Sequence, residues 1–277
     1  GFAFEGAESL VCYILLRKRS TEITFPDAWS VTFLGVFANV ATLSAGTLPL
    51  QSYFLYRRGI DAGSGLGIMA SVYVLHKVTI LLYATIALLL GGGWLRATVT
   101  GIARYLWIGY GISAVIILTL TLLYTWDKVL HLVLFLLGKL PKTEKWECRG
   151  AKWSNSLIQL NAQAGQVLLV PASSITCICI NVGKLFILYS IPYLSLRLLD
   201  IDALSFWQVQ LLSSVMLLIT SALPNVAGVG PMEFAFLLLF APWSDTTVAS
   251  SALVLYRVAT YFFPFLLSVI VFLCEEN

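Results

Sequence analysis

Residues 67–91 read GIMASVYVLHKVTILLYATIALLLG, and this stretch decides the class of fold. The stretch is longer than the ~20 residues that cross the hydrocarbon core of a bilayer. Its only charged residue is Lys77, and apolar side chains would surround the helix on every side. A helix of a soluble protein keeps a polar face towards water. The stretch therefore predicts a transmembrane helix.

The whole chain has the composition of a membrane protein. It is 59% apolar and 11% charged, with a mean hydropathy of +0.88, against about 45–50% and about 25% in soluble domains. We predict a single all-α transmembrane domain over residues 1–277, a polytopic helical bundle. Because the chain begins at Gly1 with neither Met nor a signal-peptide pattern, we expect it to be truncated at its N-terminus. The predicted apolar segments are 2–16, 31–56, 67–91, 104–125, 165–196, 207–223, 231–242 and 247–274.

Two regions are apolar but interrupted by helix-breaking residues. In the first, residues 31–58, polar residues, Gly46 and Pro49 break the apolar run. In the second, residues 207–242, the sequence PNVAGVGP at 224–231 is too rich in Gly and Pro to stay helical. Lipid cannot satisfy the backbone groups that such breaks leave free. We therefore predict two re-entrant or broken-helix hairpins.

The loop charges predict the orientation of these segments, because cytoplasmic loops collect Lys and Arg. Basic clusters lie at residues 17–19, 57–58 and 139–152. If all three face the cytoplasm, residues 92–103 and 198–206 face outside. The first hairpin then opens to the cytoplasm and the second to the outside. This arrangement describes a multi-pass protein of a cell membrane.

The two hairpins also share a short pattern. Gly-x-x-Pro-x-(Gln or Glu)-x-x-x-Leu occurs at residues 46–55 and again at 228–237, and Asn-Val-Ala precedes it at 39–41 and 225–227. Together with the opposite openings, this predicts an inverted repeat. We expect the proline in each pattern to start the second half-helix, whose N-terminus attracts anions. The alternative is that each Gly/Pro kink serves packing only.

Ionisable residues inside apolar segments need a partner or a wet cavity. Lys184, Glu233 and Arg257 lie well inside their segments and are candidate pathway residues. The alternative is internal pairing, for instance of Glu233 with Arg257, which would only lock helices together. Lys77 and Glu8 lie closer to predicted segment ends, and we expect them to reach the interface.

Other functional classes find little support in the sequence. The two histidines, His76 and His131, lie in separate segments, and neither hydrolase, metalloprotease nor phosphate-loop motifs occur. The small net charge of +3 is spread over short loops, which argues against nucleic acid as a partner. We therefore predict no enzymatic activity, no cofactor and no metal.

The stretches that carry a family resemblance are residues 39–59, residues 224–233, and Ala252, Arg257, Tyr261 and Pro264. They are similar to the transmembrane region of lysylphosphatidylglycerol synthases, the flippase domain of the multiple peptide resistance factor. The family often has a Gly pair and an acidic residue where this chain has Ala45-Gly46 and Gln51. The soluble synthase domain has no counterpart in these residues, so the resemblance does not imply synthase activity.

The resemblance implies movement of a phospholipid, such as lysylphosphatidylglycerol, or another lipid-linked headgroup between leaflets of a bacterial or archaeal cytoplasmic membrane. Phosphate would bind helix N-termini with Arg257 or Lys184, and an ammonium group would bind Glu233. The expected partners are membrane phospholipids, together with a second copy of the chain or a synthase. Two alternatives stay open: a small-anion transporter, and a non-transporting subunit that anchors a synthase. The candidate pathway residues are Glu233, Arg257, Lys184, Asn225, Gly228, Gly230, Asn39, Gly46 and Gln51.

Overall fold

A computed structural model describes the chain except for residues 19, 44–45, 100, 126–170, 223–229 and 277. The described residues form helices and no strand. Residues Ala241–Trp243 form a short 3-10 turn, and residues Val258–Phe262 form a π turn. The helices are α1 (Phe2–Arg17), α2 (Phe25–Ala41), α3 (Thr47–Arg57), α4 (Ala62–Thr98), α5 (Ile102–Thr125), α6 (Pro171–Arg197), α7 (Phe206–Ala222), α8 (Pro231–Phe240), α9 (Thr246–Arg257) and α10 (Phe263–Glu276).

The helices have the lengths and surfaces of a membrane protein. In the described part of the chain, Ala62–Thr98, Ala172–Arg197 and Thr246–Glu275 are each long and apolar enough to cross a membrane. Large apolar side chains point outwards from these helices, and Leu89 and Leu90 are 81% and 85% exposed. Such surfaces belong in lipid rather than water. The predicted all-helical membrane class is confirmed.

The larger apolar cores in the described part of the chain lie around the two broken segments, and a smaller cluster joins α4 to α6. The first core joins α1, α2, α3 and the beginning of α4. The second core joins α7, α8 and α9 to the far ends of α4 and α6. Representative members are Val11, Leu15, Val31, Leu55 and Ile68 in the first core, and Leu95, Leu196, Leu212, Phe236 and Tyr256 in the second.

The first broken segment folds back on itself as two packed helices. Helix α2 begins at Phe25, earlier than the predicted residue 31, because Thr24 and Asp27 cap it. The backbone N–H of Thr24 donates to the Asp27 carboxylate at 2.9 Å. The guanidinium of Arg58, directly after α3, lies 3.1 Å from that same carboxylate. The start of α2 and the end of α3 therefore lie at the same end of the bundle.

The outer ends of the second broken segment lie near the end of α4. The indole rings of Trp94, near the end of α4, and Trp243, just after α8, stack with centroids 5.4 Å apart. Val209, near the start of α7, belongs to the same buried core as Leu95. Arg58, at the end of the first broken segment, lies instead near the start of α4.

The last predicted segment, 247–274, is not one regular helix. It divides into α9 and α10 at the π turn, just before Pro264. Proline has no N–H to donate, so the α-helical hydrogen-bond pattern cannot continue through it. Single π turns of this kind are frequent at functional sites. Thr260, within this turn, lines the cavity described next.

Candidate functional site

A partly open polar cavity of about 250 Å³ lies between α1, α4, α6, α7, α8 and α9. Helix α8 contributes its N-terminus, immediately after the second break. Apolar side chains fill the remainder of the wall. A cavity lined by charges and hydroxyls is unusual in an apolar bundle, because each such group is costly to remove from water. The polar lining residues are Glu5, Lys77, Thr220, Ser221, Arg257 and Thr260.

Lys77 lines this cavity. Helix α4 starts at Ala62 and ends at Thr98, so it extends beyond the predicted segment at both ends. Lys77 is therefore far from either end of the helix, and the expectation that it reaches the interface stays a prediction. Its Nζ donates to Ser221 Oγ at 3.2 Å and lies 5.3 Å from the centre of the Tyr73 ring.

Arg257 and Glu233 form an ion pair at the start of α8. The other carboxylate oxygen of Glu233 accepts a hydrogen bond from the backbone N–H of Gly230 at 2.5 Å. Glu233 thus caps its own helix and neutralises Arg257 at the same time. Gly230 has φ +98° and ψ −74°, a conformation that favours glycine. Internal pairing, the alternative reading of Glu233, is what this structure contains.

Lys184 is paired on another helix interface. Its ammonium is completely buried and forms an ion pair with Glu8 of α1. It also lies 4.8 Å from the centre of the Phe4 ring. Glu8, which we expected at the interface, thus has a buried partner inside the bundle. Lys184 itself does not line the cavity, but Phe4 does.

The candidates from the first broken segment lie apart from the cavity. Gln51 donates to the backbone carbonyl of Val31 at 3.2 Å. Gly46 precedes α3, and its N–H donates to Thr42 Oγ1 at 2.6 Å. Asn39 is partly buried in α2. None of these three candidates is among the residues that line the cavity, and their role in a pathway stays a prediction.

The two proline patterns differ in their helix starts. Pro231 is the first residue of α8, as expected, whereas α3 begins at Thr47 and Pro49 lies inside its first turn. The expectation that each proline starts a half-helix is correct only for the second segment. Asn225 and Gly228 lie outside the described residues.

Sequence reasoning missed most of the cavity lining. Glu5 lies near the start of α1, and Thr220 and Ser221 form the last turn of α7. Hydroxyl residues in apolar helices commonly bond to their own backbone, so sequence alone gives them no distinct signal. The sequence feature that could have identified Thr220 and Ser221 as lining residues is their position directly before the predicted break.

The fold and the cavity define a helical membrane protein with a charged internal site. The chain belongs to the family described as the lysylphosphatidylglycerol synthase TM region, whose model matches residues 2–268. This confirms the resemblance inferred from the broken segments and Arg257. No curated protein and no solved structure matches the chain at a significant level.

Proposed function

We propose that this protein moves phospholipid headgroups between membrane leaflets through the polar cavity. One observation carries the proposal: Lys77 and Arg257 meet at a cavity beside the second break, in a member of a lipid-related membrane family. A phospholipid offers a phosphate to these cations while its acyl chains stay in the bilayer. Two cations in an apolar interior favour such an anionic group.

The ion pair at the start of α8 suggests how a headgroup is bound. The Glu233 carboxylate bonds to both Arg257 and the N–H of Gly230. A phosphate has the same charge sign and comparable acceptor oxygens, so it competes for the same donors. Displaced Glu233 is then available to the ammonium of an aminoacylated headgroup. Arg257 thereby keeps its predicted role of binding phosphate, and Glu233 keeps that of binding ammonium. Lipid binding replaces Glu233 by phosphate as the partner of Arg257.

The second broken segment provides the route to the cavity, since α8 and the last turn of α7 line it, whereas no described residue of α2 or α3 does. The ends of the two broken segments lie near opposite ends of α4, which supports the re-entrant and inverted-repeat hypothesis and an alternating exposure of the site. Arg17, Lys18 and Arg58 lie at the end where α2 starts, and the positive-inside rule assigns this end to the cytoplasm of a cell membrane. The third basic cluster, 139–152, lies outside the described residues.

Reconstitution tests the proposal. Purified protein in vesicles is given trace phosphatidylglycerol or lysylphosphatidylglycerol with an acyl-chain fluorophore that dithionite destroys from outside. If the protein translocates lipid, the fluorescent lipid of the inner leaflet, which is otherwise protected, should become accessible to dithionite in protein-containing vesicles. An unchanged protected fraction with both lipids would contradict the proposal. Anion flux, measured in parallel with chloride and phosphate, separates lipid movement from small-anion transport.

The pairing of charges favours one competing function, a non-transporting scaffold. Glu233 is bonded to Arg257 and Lys184 to Glu8, as expected if these residues only join helices. A scaffold predicts neither lipid movement nor anion flux in the same vesicles. It also predicts that variants of the cavity cations change only stability.

A further inference from the structure

A second group of polar residues, three of them buried and two partly buried, lies next to the cavity, between α1, α4 and α6. Glu5 and Glu8 come from α1, His76 from α4, and Asn181 and Lys184 from α6. Lys184 lies within electrostatic range of both carboxylates and of His76. Of these five residues, only Glu5 also lines the polar cavity. The group therefore connects the helix interface to the cavity through Glu5.

The charges of this group do not balance. Two carboxylates face one buried ammonium, and Lys184 forms its ion pair with Glu8. The side chain of Glu5 has neither a hydrogen-bond nor an ion-pair partner within the described ranges of the chain. Glu5 is nevertheless only 7% exposed. An ionised carboxylate without a partner is costly in such a place, and the protonated form costs much less because it carries no charge.

Two unpartnered polar groups support a hydrated site here. Asn181 is 0% exposed, and in the described structure neither atom of its amide has a hydrogen-bond partner. Asn181 shares a buried face of α6 with Cys177 and Lys184. Cys177 is within electrostatic range of Glu8, and Lys184 is paired with it. The Nδ1 atom of His76 is likewise buried without a partner. Buried polar groups of this kind commonly hold water.

We propose that Glu5 is a proton-binding site that couples lipid movement to the proton gradient. The coupling to lipid movement rests on the proposed function, whereas the existence of the proton site is independent of it. One proton from water in the cavity forms the O–H bond of the Glu5 carboxyl, and the same proton returns to water when Glu5 ionises. No oxidant, metal or further reactant takes part.

The charged groups around Glu5 determine how its protonation responds to a bound headgroup. The charged groups that face it are Glu8 and Lys184, with Lys77 on α4 and Arg257 on α9 across the cavity. His76 on α4 lies within electrostatic range of Lys184. An anionic headgroup bound to Lys77 and Arg257 adds negative charge beside Glu5. This repulsion favours protonated Glu5, so lipid phosphate and proton bind together.

Infrared spectroscopy tests the proton site without any transport measurement. Wild-type protein in lipid vesicles should show a protonated-carboxyl C=O band that disappears as pH is raised through the neutral range. The band should be absent in Glu5→Gln and unchanged in Glu22→Gln, which alters an exposed loop carboxylate. No titrating band in the wild type, or the same band in folded Glu5→Gln, would overturn the proposal. If Glu5→Gln does not fold, the presence or absence of the wild-type band decides.

A transport measurement then tests coupling. One proton moved per lipid allows a gradient of about one pH unit to shift the final leaflet ratio of fluorescent phosphatidylglycerol by up to about tenfold. Glu5→Gln should abolish this shift, whereas Glu22→Gln should retain it. A sodium gradient should produce no shift in the wild type. Translocation that ignores the pH gradient would refute coupling while leaving lipid movement established. Absence of all translocation would refute lipid movement, and the infrared band would still decide the proton site.

Discussion

Lys77 Nζ lies 3.2 Å from Ser221 Oγ, which joins a cation inside α4 to the last turn of α7. This last turn directly precedes the second break, so the bond holds the helix before the break against the longest helix. Arg257 approaches the same cavity from α9. Two cations therefore line the cavity beside the start of α8, and Glu233 neutralises one of them.

The Glu233–Arg257 pair is expected to show strong energetic coupling. Glu233→Gln and Arg257→Gln should each lower the melting temperature, because each leaves one charge without its partner in a partly buried site. The double variant should be more stable than the two single effects predict, with a coupling energy of about 0.5–3 kcal/mol. Thermal unfolding of the four proteins in the same detergent measures this. Additive effects would show that the pair is not energetically coupled.

The same four proteins also separate binding from packing. If the pair is part of the lipid site, the double variant should remain defective in lipid translocation even where its stability is restored. Recovery of both stability and translocation in the double variant would place the pair among purely structural contacts.

Gly230 should tolerate alanine poorly. Its φ of +98° is a conformation that costs an L-residue about 1–3 kcal/mol. Gly93 is the matched control, because it lies inside α4 and an added Cβ would meet no atom within 4 Å. We expect Gly230→Ala to lower the melting temperature and Gly93→Ala to leave it unchanged or raise it. Equal melting temperatures for the two variants would contradict the strained start of α8.

The orientation of the bundle is testable with single cysteines. Lys18→Cys and Arg57→Cys, each in a cysteine-free background, should react with a membrane-impermeant maleimide only from the cytoplasmic side. Asp200→Cys, at the opposite end, should react only from outside. Lys145→Cys extends the test to the third basic cluster and should match Lys18→Cys. Labelling of Lys18→Cys and Asp200→Cys from the same side would refute the arrangement.

Much of the fold was predictable because bilayer physics limits the choices. An apolar run such as 67–91 has to form a helix, since lipid cannot bond to free backbone groups. The same physics located both breaks, and capping chemistry explains why α8 starts at Pro231. The family followed from the break sequence together with Arg257, and the match over residues 2–268 confirms it.

The composition of the site was less predictable, because it depends on packing between distant helices. Sequence position suggested that Lys77 and Glu8 reach the interface, but helix α4 is longer than its apolar run and Glu8 meets Lys184. Likewise, Gln51 and Glu233 occupy equivalent places in a pattern but bond differently. A pattern predicts where a chain breaks, whereas tertiary contacts determine what each polar group binds.

The most direct test of lipid movement through the cavity is translocation by Lys77→Gln. Glutamine keeps a hydrogen-bonding group near Ser221 but removes the charge, and a lost charge-assisted hydrogen bond is worth about 1.5–3 kcal/mol. We predict that Lys77→Gln folds with a similar melting temperature and translocates fluorescent phosphatidylglycerol about tenfold or more slowly than wild type. Lys18→Gln, an exposed lysine outside the cavity, should match wild type. Translocation by folded Lys77→Gln at the wild-type rate would contradict movement of lipid headgroups through this cavity.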